Sequence, residues 1–143
     1  MSVESILRKK GTDVATIGPE VSVKRAADWL RAKNIGALVV TRGSVVLGLV
    51  SEREIVHALS RYGETATSMP VSEIMRHGVT TVSPAETVSR AMMLMTQHRA
   101  RHMPVVHDGE LAGIISIGDV VRHRLDDLEL ETSVLRDARV AAR

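Results

Sequence analysis

The chain has 143 residues, 44% hydrophobic and 25% charged, with 10 glycines and 4 prolines, the balance of an ordinary globular protein rather than a disordered or collagenous one. Cysteine is absent, which excludes a disulfide framework, a thiol nucleophile and any cysteine-ligated metal or cluster. Nineteen basic residues against 17 acidic leave a net charge of +2, and Trp29 and Tyr62 are the only aromatics, so neither an electrostatic footprint nor a stacking platform for nucleic acid is evident.

No apolar run approaches the ~20 residues of a bilayer span, and the opening MSVESILRKK lacks the apolar stretch of a signal peptide, so a cytoplasmic protein with no membrane partner is expected. Val3, Ile6 and Leu7 share one face of a helix that Gly11 stops. Beyond this lead-in, the segment from Val14 to Val56 aligns without a gap with Val79 to Val121. Identical pairs are Val14/Val79, Thr16/Thr81, Pro19/Pro84, Val23/Val88, Arg25/Arg90, Ala26/Ala91, Val40/Val105, Gly48/Gly113, Ser51/Ser116 and Val56/Val121. Chance would supply about two or three. The chain holds two copies of one unit.

Within each unit the hydrophobic period changes in a fixed order. A short strand ends at Ile17 (Val82 in the second copy), a Pro19 or Pro84 turn follows, and Ser22 or Thr87 is placed to cap a helix. Its buried stripe is Val23, Ala26, Ala27 and Leu30, or Val88, Ala91, Met92 and Met95. Hairpins then run through Ala37–Thr41 and Val45–Val50, and through Met103–Val106 and Leu111–Ile115, the second with a strong Asp108-Gly109 turn. A further helix opens at Ser51 or Ser116. Between the copies, Gly63 to Pro70 reads as polar loop and Val71 to Met75 as a short amphipathic turn; a C-terminal helix continues through Leu125, Leu128 and Leu135. The divisions are a lead-in over residues 1–13, repeats over 14–61 and 79–124, a linker over 62–78 and a helical extension over 125–143.

Chemistry concentrates at the strand-to-helix corners, Gly48-Leu49-Val50-Ser51-Glu52-Arg53-Glu54 and Gly113-Ile114-Ile115-Ser116-Ile117-Gly118-Asp119. The glycine permits close approach, the serine sits where free helix N–H groups begin, and such a corner attracts phosphate. A carboxylate three residues on can accept from the vicinal hydroxyls of a ribose, with Gly118 clearing space beside Asp119. The competing reading is a capping box, in which serine and carboxylate close the helix's own donors. Glu54 fits that box better than Asp119 does. Repetition of the whole corner favours the ligand reading.

His98, Arg99, Arg101 and His102 precede the second copy's middle strand, and Arg76 and His77 precede its first. Arg101 is the best phosphate candidate, since a guanidinium offers paired donors; the alternative for the group is a solvated basic helix end. His98 and His102 are spaced to share a helix turn, but no carboxylate partners them at ligand spacing and no metal is expected. No nucleophile, base and acid fall in a recognisable order, so catalysis is not expected. Met92-Met93-Leu94-Met95 is apolar all round, and with Trp29 it calls for a covering surface, for which homodimerisation is the natural candidate. The alternative is that Trp29 and Leu94 tuck in under the terminal helices.

The corners, the connector over Val71 to Met75 and the run Arg99 to Val106 together resemble the CBS domain family, named after cystathionine beta-synthase, over nearly everything from Val14 to about Arg124. The resemblance implies an α/β (α+β) fold of two tandem β-α-β-β-α repeats packed as a pseudo-twofold module. It also implies a regulatory role: adenine nucleotides (AMP foremost, also ADP, ATP, NAD or S-adenosylmethionine) bind in the clefts between repeats, and occupancy is passed to a separate, unidentified protein. Carried over by motif, Ser116 and Asp119 contact phosphate and ribose beside Ile117 and Gly118. Ser51, Arg53 and Glu54 are their first-copy counterparts, with Glu54 where the family more often has Asp. Arg101 and His102 line the phosphate side, and Thr16-Ile17 and Thr81-Val82 match the adenine-contacting segment; ordinary strand residues are the other reading of those four. In the family, pairs of modules often form a disc through the helices that carry Trp29 and Leu94. Two other readings stay open: a structural module with empty clefts, and a weak nucleic-acid binder using Arg8-Lys9-Lys10 and Arg122-His123-Arg124, against which the near-neutral charge argues.

Overall fold

The computed structural model describes residues 1–141. Helix α1 (Val3–Lys10) leads into β1 (Thr16–Ile17), α2 (Val23–Lys33), the hairpin β2 (Ala37–Arg42) and β3 (Val45–Ser51), and α3 (Glu52–Tyr62). After two 3-10 turns, Gly63–Ser68 and Val71–Glu73, the second copy supplies α4 (Val88–His98), β4 (His102–His107), β5 (Glu110–Ser116) and the long α5 (Ile117–Ala141). Mixed helices and strands in this order are the expected α+β class.

Local signals place the elements. The hydroxyl of Ser22 accepts from the N–H of Arg25 at 3.2 Å and that of Thr87 from Arg90 at 3.0 Å, capping α2 and α4 as anticipated. Both helices end on a left-handed residue, Asn34 (φ 52°) and Arg99 (φ 50°). Asparagine tolerates that conformation; arginine adopts it only where the surroundings hold it. The hairpins turn at Gly43-Ser44 and Asp108-Gly109, with φ of 60° at Gly43 and 50° at Asp108.

Three expectations change. The segment after α3 is not an irregular loop, because Ala66 is fully buried and winds it into a 3-10 turn. The strands run one residue longer at several ends. The first strand of the second copy shrinks to a single parallel bridge, Val82 to Val105, whereas β1 pairs with Val39 and Val40 of β2.

Each repeat has its own core. Ile17, Val23, Ala26, Leu30, Leu38, Val40, Val50 and Val71 form one, and Val82, Val88, Ala91, Met95, Met103, Val105, Ile115 and Val120 form the other together with Val3, Ile6 and Leu7 of α1. A third cluster, Ala37, Val39 and Leu49 against Val79, Leu111 and Ile114, joins the two sheets.

A strap crosses each repeat, and it comes from the segment preceding the other one. Over repeat one, Val23 N–H donates to Met69 O at 2.9 Å, Val71 N–H to Val21 O at 2.8 Å and Ser72 N–H to Pro19 O at 3.0 Å. Over repeat two the matching bonds are Val88 N–H to Met1 O at 3.1 Å, Val3 N–H to Glu86 O at 2.8 Å and Glu4 N–H to Pro84 O at 2.9 Å. Met1–Arg8 is thus the counterpart of Met69–Arg76. A Cβ on Gly48 would lie 2.6 Å from Met75 Sδ, and one on Gly113 2.8 Å from Leu7 Cδ2, so each glycine is the clearance for its strap.

Candidate functional site

The two corners have the same local construction. At the start of α3, Ser51 N–H donates to Glu54 Oε1 at 2.9 Å, with the Ser51 hydroxyl 2.6 Å from the same oxygen. At the start of α5, Ser116 N–H donates to Asp119 Oδ2 at 2.9 Å and Asp119 N–H to the Ser116 hydroxyl at 3.1 Å. Both carboxylates therefore serve as capping boxes, including Asp119, whose shorter side chain still closes the ring.

What lies in front of the corners differs. Before Ser51 and Glu54 opens a cleft of about 410 Å³, lined also by Gly36, Leu49, Glu52, Arg53, Arg76, Arg99, Arg101 and His102. Four arginines from three separate segments line it. Arg53 rides on the first turn of α3; Arg76 ends the strap, its side chain donating to His98 O at 2.8 Å; Arg99 and Arg101 follow the end of α4. Burial is the main cause that lowers the His102 pKa, helped by Lys10 and Arg101 and opposed by Asp119 and Glu54, so its imidazole is disposed to be neutral. Gly36 gives it room: a Cβ there would sit 2.9 Å from His102 Nε2. An array of guanidiniums beside a helix N-terminus is equipped to hold an anion of more than one charge.

The second corner faces the chain itself. Lys10 Nζ, at the end of α1, donates to Asp119 Oδ2 at 2.7 Å and to Ile114 O at 2.9 Å, while Lys9 holds Asp126 at 2.8 Å. Desolvation acts to raise the Asp119 pKa, but Lys10 and the Ser116 N–H and hydroxyl outweigh it and keep the carboxyl below its ordinary value. The remaining hollow, about 260 Å³, is lined by Ile6, Lys9, Lys10, Asp119, Arg122, His123 and Asp126. In register with Arg99, Arg101 and His102 the first repeat carries Asn34, Gly36 and Ala37, so no guanidinium comes from that side.

The fold thus brings Ser51, Arg53, Glu54, Arg101 and His102 into one cleft and leaves Ser116, Asp119, Ile117 and Gly118 outside it. Arg101 and His102 stand between the two corners: Ile117 N–H donates to Arg101 O at 2.8 Å and His102 pairs with Ser116, while both residues also line the cleft before the first copy's corner. Thr16, Ile17, Thr81 and Val82 do not line this cleft; Ile17 and Val82 are buried in the two cores. Gly36 and the plugging Lys10 escaped the sequence reading. The correspondence of the two straps was findable: Met-x-Val-x-x-Ile-x-Arg occurs at Met1–Arg8 and again at Met69–Arg76.

A twice-repeated α+β unit, strapped at glycine corners and opening a cleft on one of its serine-carboxylate pairs, defines a tandem-repeat α+β module. The family model of the CBS domain matches residues 3–61 and 71–126, and the chain belongs to that family. A solved CBS-domain containing protein of Agrobacterium tumefaciens is 45% identical, with a TM-score of 0.83 over 87% of this chain and 99% of that one. The CBS domain-containing protein YhcV of Bacillus subtilis is 30% identical over 116 residues, 81% of this chain and 82% of the relative. A CBS domain protein of Pyrobaculum aerophilum, solved complexed with AMP, is 26% identical, with a TM-score of 0.78 over 92% and 99% of the two chains. Among the described residues no helix is long and apolar enough to cross a membrane.

Proposed function

We propose that the chain is a regulatory module that binds an adenine nucleotide, AMP foremost, in the cleft before Ser51 and Glu54, and acts on a separate protein rather than by catalysis. The observation that carries this reading is the convergence of Arg53, Arg76, Arg99 and Arg101 with His102 on one serine-carboxylate corner. The guanidiniums take the phosphate, and Glu54 takes the ribose hydroxyls; both protein bonds to Glu54 fall on Oε1, which leaves its other oxygen for a sugar. The likeness to a relative solved with AMP supports the same reading. The Ser116-Asp119 corner holds no nucleotide while Lys10 occupies it.

Ligand-linked signalling requires a difference in affinity between two arrangements. Arg76 and His98 supply a means: the strap, α4 and the cleft meet at their 2.8 Å bond, so a phosphate drawing on Arg76 competes with the helix end. The module works as a homodimer through the faces of α2 and α4. Trp29 and Leu94 each lean partly on their own repeat's core, and Lys33 lies over the indole with Nζ 5.6 Å from its centroid, so Met93, 42% exposed, is the most open apolar group of that surface.

Calorimetric titration with AMP tests the reading. One nucleotide per chain, bound more weakly in Arg101→Ala and unchanged in Asp119→Ala, is the expected result; no binding by any adenine nucleotide would return the corners to helix caps alone.

A further inference from the structure

Helix α5 outruns the body it grows from. Asp126 and Asp127 are the last residues with partial cover, and every residue from Leu128 to Val140 is exposed. Of its apolar residues, Leu128 and Leu135, at 44% and 68% exposure, share one face, and Leu130, Val134 and Val140 lie on others. A lone helix of this length is marginal in water, so its apolar side chains need a second surface.

The spacing and the charges say which. Leu125, Leu128, Thr132 and Leu135 alternate by three and four residues, the seam of a two-stranded coiled coil, with Leu125 and Thr132 at a and Leu128 and Leu135 at d. Thr132 is no obstacle, because its hydroxyl donates to Leu128 O at 2.9 Å within the helix and its methyl is left for the seam. In this register Arg124 and Glu131 fall at g, and Glu129 and Arg136 at e. When two such helices run parallel, each g position faces the following e position of the other strand. Arg124 then meets Glu129 of a second copy, and Glu131 meets Arg136; both pairings are of opposite sign. Parallel alignment also sets Thr132 against Thr132 instead of against leucine, the way a polar a position fixes register.

We propose that the outer part of α5, from Leu125 to Leu135, is a self-association surface whose occupant is the same helix of a second copy, in a parallel two-stranded coiled coil. This contact is separate from the α2 and α4 faces and independent of what the cleft holds.

Two variants of the full chain test it together. Arg124→Glu with Glu131→Arg places like charges at every g-to-e contact of its own dimer, as does Glu129→Arg with Arg136→Glu; mixed, the two restore every pairing. Sedimentation equilibrium is expected to show each alone associating at least tenfold more weakly than wild type and the mixture recovering. Equal association of each variant alone with wild type would overturn the proposal. Because the chain lacks cysteine, a single thiol reports orientation: Leu128→Cys is expected to oxidise to a covalent dimer, and Asp137→Cys, on the outer face, is not. Cross-linking of both alike, of neither, or only of Leu128→Cys chains mixed with Thr132→Cys chains, the antiparallel outcome, would overturn it as well.

Discussion

The two clefts of this molecule are built from one repeated corner and have become opposites. Before Ser51 and Glu54 the opposing repeat contributes Arg99, Arg101 and His102 to an open hollow. Before Ser116 and Asp119 the matching positions are Asn34, Gly36 and Ala37, and Lys10 closes the gap from α1. On the proposed reading, a serine-carboxylate corner by itself does not make a ligand site. What decides is which charges the other half of the module brings to it.

The sharpest way to break this contrast is to remove the charges from the open side. Arg101→Ala is expected to weaken AMP binding by about 10- to 100-fold, the range for a hydrogen-bonded charged contact, read by calorimetry; a variant that binds like wild type would erase the distinction. Charge removal on the closed side gives the complementary test. Lys10→Ala is expected to leave the stoichiometry at one nucleotide per chain, since the opposing repeat brings no arginine there to join Arg122, and to cost about 1 kcal/mol or less in urea denaturation because Lys10 is partly solvated. A second binding event would show that the lysine alone had been excluding it.

The straps sharpen the comparison in stability. Gly48→Ala would press a methyl against Arg76 O at 2.8 Å as well as Met75 Sδ, and a backbone carbonyl cannot step aside, so a loss of about 1–3 kcal/mol is expected. At Gly113 the near atoms all belong to the Leu7 side chain, which can rotate. Gly113→Ala is expected to cost less, and equal losses in paired denaturant titrations would mean the two straps are equally rigid.

Titration gives the smallest effects. The folded Asp119 carboxyl ionises below its ordinary value, so its contribution is full above the unfolded carboxylate range and disappears as pH falls through the folded value. Asp119→Asn should flatten that acid limb of the stability profile. His102 is likewise shifted down, so the unfolded chain binds more protons just below pH 6.5. Stability is expected to decline as pH drops from about 6.5 toward the folded value, and His102→Gln to remove that part of the slope.

Much of the architecture was legible in the chain. The aligned copies, the Ser22 and Thr87 caps and the Asp108-Gly109 turn are local signals, and local geometry obeyed them. The meeting of Arg101 with Ser51 in one cleft was not, because a pseudo-twofold arrangement brings together segments of the two repeats that are distant in sequence. The hold of Lys10 on Asp119 joins residues from opposite ends of the module, beyond the reach of hydrophobic periodicity. The 3-10 turn at Ala66 was missed for a related reason: a small residue among polar ones gives no pattern, and only packing against α2 and α3 buries it.

The exchange of straps has a consequence during synthesis. Val3, Ile6 and Leu7 leave the ribosome before either repeat, yet the surface that receives them is complete only with Val120. At ordinary elongation rates of about 5–20 residues per second that interval lasts roughly 6–25 seconds. For that time a greasy amino-terminal segment is without its berth, while the connector that follows finds repeat one already made. Nascent chains stalled before β5 should therefore be the ones that ribosome-associated holdases grip most firmly.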